Sequence, residues 1–232
     1  MDPDMCERFL LLGAGRELAD TFDLAEVPQV DSRYNIAPGQ TVPVVLQDGT
    51  GRQLRALSWG LLPSWSKDPS VGFRAPNARC ETVAAKPAFR AAFRKHRCLI
   101  PASGFYEWKT VGARKQPILF RPRDGLFAFA GLWDNWRGGD GTILDTFTIL
   151  TTTANEVVTP IHDRMPVILD HADYGTWLDS ATPGLVKLLR PYRAEAMTAT
   201  AVGPWVNDVR HEGPKCIEPV GDQPFLFAGD RA

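Results

Sequence analysis

Prolines and glycines interrupt this chain along its whole length. The 232 residues include 19 prolines and 20 glycines, with no internal repeat and no low-complexity linker. Because both residue types end helices and strands, the chain is predicted to fold into many short elements joined by turns. A chain of this length buries one sizeable core, so we expect a single domain over residues 1–232.

The hydrophobic pattern between these interruptions favours strands in the middle of the chain. The predicted strands are Val42–Gln47, Leu54–Gly60, Cys98–Ile100, Gly104–Lys109, Pro117–Arg121, Leu126–Trp133 and Thr146–Thr153. The predicted helices are Arg16–Phe22, Val83–Lys95 and Ala172–Leu178, with Leu185–Leu189 as a further candidate. Strands and helices do not alternate regularly, which indicates an α+β fold with a largely antiparallel, barrel-like sheet and flanking helices.

Charge and cysteine usage exclude several classes of protein. The net charge is -1, so any nucleic-acid site must be a local patch. The cysteines are Cys6, Cys80, Cys98 and Cys216. None forms a C-x-x-C pair, which argues against a zinc or dithiol site and favours a reduced, cytoplasmic compartment. No apolar stretch approaches the roughly 20 residues of a membrane span, and the acidic start is no signal peptide.

The segment 74–97 has a local excess of positive charge. Its seven basic residues stand against one acidic residue, Glu81. On a helix, three of them would form a stripe, at Arg90, Arg94 and Arg97. That stripe is either the solvated face of an amphipathic helix or a patch that follows a phosphate backbone.

Four short stretches place reactive side chains in turns or at strand ends. They are "MCERF" with Cys6, "APNARCET" with Asn77, "PASGFYEWK" with Glu107 and "TPIHDRMPV" with His162. A Cys, a His and a Glu together permit nucleophilic catalysis, but they do not choose among a thiol hydrolase, an acyl transferase and an imine-forming enzyme. Each residue also has a purely structural explanation, such as a buried cysteine that packs as a small hydrophobe. No nucleotide-binding loop or metal-ligand spacing is present, so neither cofactor nor metal is predicted.

Nine pieces of the sequence, taken in order, resemble the SOS response-associated peptidase (SRAP) family, whose members crosslink to abasic sites in DNA. The pieces are "MCERF", "RYNIAPGQ", "WGLLPSW", "NARCET", "RCLIPASGFYEWK", "FAFAGLW", "FTILTTTAN", "IHDRMPVIL" and "VNDVRHEGPKCIEP". They cover nearly the whole chain. The resemblance implies one α+β domain with a DNA-binding groove along its barrel-like sheet, and a mature protein that begins with the cysteine.

The resemblance also implies roles for individual residues. The catalytic positions are Cys6 as the crosslinking nucleophile, Asn77 as a positioning amide, Glu107 as a proton shuttle and His162 as a proton donor to the opening sugar. The DNA-contacting positions are Arg8, Asn35, Pro38, Trp65, Arg79 and Arg164. The expected partner is single-stranded DNA with an abasic site, because an exposed sugar needs no unpairing. A monomer that associates with the nucleoid when bound to DNA is expected, and Cys80, Cys98 and Cys216 are expected to be packing residues.

The implied chemistry uses both nucleophiles of one residue. An N-terminal amine has a pKa of about 7.7–8.0, so a useful fraction is neutral near pH 7, whereas a lysine at about 10.4 is mostly protonated. The Cys6 amine would form an imine with the abasic aldehyde, and the thiol would then close a five-membered thiazolidine. That second step is intramolecular and therefore fast.

Two features depart from the family pattern. Glu7 stands where the family usually has glycine, and its carboxylate would repel a phosphate beside the reactive amine. Residues 1–5 precede Cys6 and block its amine, so the mature protein is expected to lack them. Translation could start at Met5, or the thiol of the protein itself could cut them off.

Two other functions stay open at this stage. A cysteine-dependent peptidase, with hydrolase or lyase chemistry at Cys6 and His162, would cleave the Met5–Cys6 bond and act on peptides unrelated to DNA. A non-catalytic single-stranded DNA-binding module would bind in a salt-sensitive manner without preference for abasic DNA, and binding would survive Cys6→Ala.

Overall fold

The computed structural model describes residues 7–13, 15–67, 75–182 and 185–221. The strands are β1 (Phe9–Leu11), β2 (Arg33–Ile36), β3 (Thr41–Asp48), β4 (Gly51–Trp59), β5 (Asn77–Arg79), β6 (Arg97–Ala102), β7 (Gly104–Val111), β8 (Arg114–Pro122), β9 (Phe127–Arg137), β10 (Ile143–Thr153), β11 (Arg164–Pro166), β12 (Ile168–Leu169) and β13 (Met197–Ala201). The helices are α1 (Gly15–Phe22), α2 (Arg90–Lys95) and α3 (Tyr174–Leu178). Short 3₁₀ turns are His171–Asp173, Leu185–Leu188, Ala194–Ala196, Pro204–Asn207 and Pro214–Ile217.

Five of the strands close into a barrel. β10 lies parallel to β4, and β4, β3, β6 and β9 follow antiparallel until β9 pairs again with β10. The interior is filled by apolar side chains of alternate residues, including the fully buried Phe129, Phe147 and Ile149. Short strands extend the rim, with β5 and β11 along β10 and β12 along β9. Two of these short strands, β5 and β11, bring the polar residues Asn77 and Arg164 to one end of the barrel.

A second, antiparallel sheet of five strands packs on the barrel in the order β13-β8-β7-β1-β2. Its inner face contributes Phe9 and Phe105, and the ring of Phe9 lies 5.2 Å from that of Trp59 in the barrel. Its outer face is covered by the segment 202–217, in a smaller apolar cluster with Leu10 and Tyr106. Alternation along each strand therefore decides which side chains face the barrel.

Most predicted elements are confirmed, but the helix predicted over Val83–Lys95 is wrong in its first half. Only α2 is helical, and residues 81–89 form turns. The physical reason is Pro87, which has no N–H to donate and restricts the residue before it. The candidate helix at Leu185–Leu189 is a 3₁₀ turn over Leu185–Leu188.

One residue of the predicted basic stripe, Arg97, lies in the protein interior and not on the surface. Arg97 is buried, and its guanidinium donates to the carbonyls of Phe93 and Arg94 at the end of α2 and to those of Trp177 and Asp179 at the end of α3. A cation at two helix ends satisfies carbonyls that have no partner within the helix. Arg97 is thus a structural residue. Among the described residues, none of the helices is long and apolar enough to cross a membrane.

Candidate active site

The end of β10 brings together two stretches that are far apart in the sequence. β5 pairs Asn77 with Ile149 and Arg79 with Thr151, while β11 pairs Arg164 with Thr153. Asn77 is buried and Arg79 is exposed. The strand β10 therefore supports both stretches, "NARCET" and "IHDR". Four of the predicted site residues lie at its end: Asn77, Arg79, His162 and Arg164.

Arg164 forms a bidentate ion pair with Glu81. Nη1 lies 2.6 Å from Oε1 of Glu81, and Nη2 lies 3.0 Å from Oε2. Nη2 also donates to the carbonyl oxygen and the hydroxyl of Thr151, at 2.8 and 3.2 Å. These bonds from Arg164 lower the pKa of Glu81 to about 2. Arg164 is buried, so a phosphate would have to share or replace this pair, and its predicted DNA contact stays a prediction.

His162 is held in one orientation by the peptide backbone. Nδ1 of His162 lies 2.9 Å from the backbone nitrogen of Arg164 and 3.1 Å from its carbonyl oxygen. The shorter contact, in which the N–H donates, favours a neutral imidazole with its proton on Nε2. The carboxylate of Asp163 is 3.5 Å from the same nitrogen but is largely exposed. In that tautomer the ring donates a hydrogen bond from Nε2–H, and the predicted role of His162 as a proton donor stays a prediction.

The turn that precedes His162 depends on Asn155, to which the sequence analysis assigned no role. Its Oδ1 accepts from the N–H groups of Val157 and Val158 at 3.1 Å each, and its Nδ2 donates to the carbonyl of Tyr192. The N–H of His162 then bonds to the carbonyl of Val158 at 3.0 Å. The signal in the sequence is an asparagine two residues after the end of a strand, which favours such a turn.

Glu107 belongs to the second sheet and faces the barrel. On β7 it shares a face with Phe105 and is 5% exposed. β7 lies beside β1, and the N–H of Tyr106 donates to the carbonyl of Arg8 at 3.0 Å. Gly104 permits this close packing, because a Cβ there would lie 2.5 Å from the carbonyl oxygen of Phe120. Glu107 is thus on the strand next to the segment that follows Cys6, which itself lies outside the described residues.

Arg8 and Asn35 form one hydrogen-bonded unit. Nη1 of Arg8 donates to Oδ1 of Asn35 at 2.9 Å and to the carbonyl of Val206 at 3.0 Å. The fully buried amide of Asn35 also donates to the carbonyls of Asp208 and His211, at 2.9 Å each. Asn35 therefore anchors both Arg8 and the segment 202–217. Its predicted DNA contact stays a prediction.

Burial shifts the pKa values of Arg8 and of its neighbour Glu7. Burial lowers the pKa of Arg8, with the nearby charge of Glu7 opposing the effect. Glu7 is exposed overall, yet local burial of its carboxyl raises its pKa, with Arg8 opposing. Burial thus favours the neutral form of Glu7 and opposes the charge that it would hold against a phosphate.

Trp59 joins the two halves of the site. Its ring contacts Phe9, one residue beyond Arg8, and its Nε1–H donates to the carbonyl of Pro76 at 2.8 Å, one residue before Asn77. Trp59 is 1% exposed. The strand that leads away from Cys6 and the strand of Asn77 therefore share one rigid partner. The sequence analysis quoted "WGLLPSW" but assigned no role to this residue.

Pro38 and Trp65 lie in turns. Pro38 is half-buried and precedes Gly39, whose φ of 86° is in the left-handed region and whose N–H donates to the carbonyl of Trp59 at 2.7 Å. Trp65 is 61% exposed, in a turn that Asp134 fixes by accepting from the N–H of Ser64 at 2.8 Å. A large exposed indole can stack on a base. The DNA contacts assigned to both residues stay predictions.

The described cysteines differ in their surroundings. Cys98 and Cys216 are fully buried, as expected for packing residues, and burial raises the pKa of Cys216 to about 11. Cys80 is half-buried, and burial also raises the pKa of its thiol. In the part of the chain that the structure describes, no three His, Cys, Asp or Glu side chains converge as metal ligands would.

Known proteins with similar sequences match this chain over most of its length. Residues 5–209 match the family described as "SOS response associated peptidase (SRAP)". The chain is 40% identical over 222 residues to the abasic site processing protein YoaM of Bacillus subtilis, covering 92% of this chain and 98% of that protein. It is 36% identical over 225 residues to the abasic site processing protein HMCES of Gallus gallus, covering 81% of this chain and 66% of that protein.

Solved structures show the same architecture. A crystal structure of a Bordetella bronchiseptica protein superposes with a TM-score of 0.76 at 28% identity, over 85% of this chain and 100% of that one. A Bacteroides thetaiotaomicron protein shares the fold with a TM-score of 0.84, at 24% identity and over 93% of this chain.

Proposed function

Because the chain belongs to the SOS response-associated peptidase family, we propose that it processes abasic sites in DNA by forming a covalent bond through Cys6. The observation that supports this most is the assembly at the end of β10. Asn77, His162 and Arg164 meet there, and Trp59 connects them to the strand that follows Cys6. The Bacillus subtilis and Gallus gallus relatives, whose names state abasic site processing, support the same substrate.

The proposed reaction has two bond-forming steps. The neutral amine of Cys6 attacks the aldehyde carbon of the open abasic sugar, and loss of one water gives an imine. The Cys6 thiol then adds across the C=N bond, with sulfur on carbon and the proton on nitrogen, which closes the thiazolidine. The amine is available only when residues 1–5 have been removed, so this processing is part of the proposal.

Three described side chains serve these steps. His162 donates a hydrogen bond from Nε2–H that stabilises the ring oxygen as the C1–O bond breaks. Solvent gives that oxygen a proton and takes the proton of the C1 hydroxyl as the aldehyde forms. The buried carboxyl of Glu107 takes a proton from the attacking amine and returns it to the leaving hydroxyl. Asn77 orients the amine or the sugar through its amide.

The exposed residues of the site hold a single strand. Trp65 stacks on a base beside the abasic site, a contact of about 1–3 kcal/mol in comparable grooves. Arg79, exposed at the end of β5, contacts a flanking phosphate. Single-stranded DNA is the proposed partner because its sugar is accessible without unpairing.

The test uses the chain with Cys6 as its first residue and a single-stranded oligonucleotide with one abasic site. A slower-migrating species on a denaturing gel is expected with wild-type protein and not with Cys6→Ala. Cys6→Ser should give an adduct only after borohydride reduction, because its hydroxyl closes the ring poorly. Hydrolysis of unrelated peptides without an adduct would instead favour a peptidase. Salt-sensitive binding that survives Cys6→Ala and ignores the abasic site would favour a binding module.

A further inference from the structure

We propose that Glu81 is a positioning residue for His162 and acts through Arg164. Glu81 fixes the Arg164 side chain, and the Arg164 backbone fixes the ring of His162. The inference rests on the function proposed above, in which the Nε2–H of His162 donates a hydrogen bond to the opening sugar.

The first step is the fixation of Arg164. Its two Nη atoms reach both carboxylate oxygens of Glu81 at 2.6 and 3.0 Å, and Nη2 also reaches Thr151. Arg164 is 8% exposed, whereas the Glu81 side chain is 47% exposed. A buried guanidinium needs a charged partner, because an unpaired charge in that position is strongly unfavourable. Removal of the Glu81 charge is therefore expected to draw Arg164 towards water.

The second step links Arg164 to the imidazole. Nδ1 of His162 lies 2.9 Å from the backbone nitrogen of Arg164 and 3.1 Å from its carbonyl oxygen. The N–H of Arg164 makes the shorter of these two contacts and favours the neutral ring with its proton on Nε2. Arg164 lies at the first position of the short strand β11, where its pairing with Thr153 is the end of the ladder. A displaced Arg164 side chain would move this backbone N–H.

Asp163 is the other carboxylate near the ring, but it is a weaker candidate for this role. Its Oδ1 is 3.5 Å from Nδ1, and its side chain is 87% exposed. Solvent and salt screen an exposed charge, and a contact at that distance does not fix a tautomer. Glu81 acts instead through short bonds to a buried partner.

The test compares Glu81→Gln with Glu156→Gln. Glu156 is exposed in the turn before His162, so its variant removes the same charge without touching Arg164. The ¹⁵N shifts of the His162 ring, measured in the free protein, should report the Nε2–H tautomer in wild type and in Glu156→Gln. Glu81→Gln should show a mixture of tautomers. Its crosslinking rate at saturating abasic oligonucleotide should fall about tenfold, while the half-saturating concentration changes little.

The two proposals fail in different ways. If Glu81→Gln matches Glu156→Gln in ring shifts, the positioning role is wrong, although crosslinking by the wild type would still stand. If no variant crosslinks, the proposed function fails, but the ring shifts still decide the role of Glu81. Should Glu81→Gln not fold, Glu81→Asp replaces it, since its side chain keeps the charge but is one methylene too short for the bidentate contact that fixes Arg164. A mixed tautomer there supports the proposal, and an unchanged one overturns it.

Discussion

At the scale of single residues, polar side chains with several partners organise this site. Asn35 and Arg164 were expected at the DNA surface from the sequence, yet both are buried and use their hydrogen-bonding groups within the protein. Sequence motifs name such residues but do not show whether a side chain faces solvent or another residue. Asn35 supports Arg8, and Arg164 supports His162, so each can affect DNA without touching it.

The ion pair of Glu81 predicts a pH dependence of stability. Its pKa is about 2 in the folded protein, below the ordinary value of 4.5. A depressed pKa stabilises the folded state above pH 4.5, and the contribution is lost as the pH falls towards 2. The difference in unfolding free energy between wild type and Glu81→Gln should therefore shrink between pH 4.5 and pH 2. Urea unfolding at pH 6 and pH 2.5 measures it, and a difference that stays constant would contradict the assignment.

At the scale of elements, the alternation of apolar and polar residues predicts the long strands well. Each of these strands has one face in an apolar core. Pro87 lies inside the helix that periodicity predicts, and the residues around it form turns instead. The pairing of β5 and β11 with β10 joins residues far apart in the chain, and no local pattern encodes it. The sequence therefore names candidate residues for the site, and their arrangement comes only from the structure.

Arg97 provides a test at this scale, because it connects the ends of α2 and α3. Arg97→Met should destabilise the protein by about 2–4 kcal/mol, since several helix-end carbonyls lose a charged donor. Arg94→Met is the matched control, as Arg94 is exposed on the same helix and should cost less than about 0.5 kcal/mol. Urea unfolding of both variants measures the difference. Equal effects would show that the helix ends do not depend on Arg97.

At the scale of the whole molecule, the site is divided between the barrel and the second sheet. The barrel supplies Asn77 and His162, and the second sheet supplies Glu107 and the strand that follows Cys6. The geometry of the proposed reaction therefore depends on how the two sheets pack. Phe9 and Trp59 contact each other between these two parts, and Trp59 also bonds to the residue before Asn77.

Trp59→Phe tests this dependence. The variant keeps an aromatic ring but loses the bond to the carbonyl of Pro76, so it should cost about 1–2 kcal/mol and slow crosslinking several-fold. Trp177→Phe is the control, because this fully buried indole also donates to a backbone carbonyl, that of Cys98, on α3. It should lose similar stability and crosslink at the wild-type rate. If both variants slow the reaction equally, the effect is one of general stability.

The central claim is the covalent bond between Cys6 and an abasic sugar, and intact-protein mass spectrometry tests it most directly. The chain that begins at Cys6 is incubated with a single-stranded oligonucleotide containing one abasic site. We predict one new species with the mass of protein plus DNA minus one water, which Cys6→Ala abolishes. Protein and DNA that keep their separate masses, although Cys6 is shown to be the first residue, would contradict the proposed chemistry.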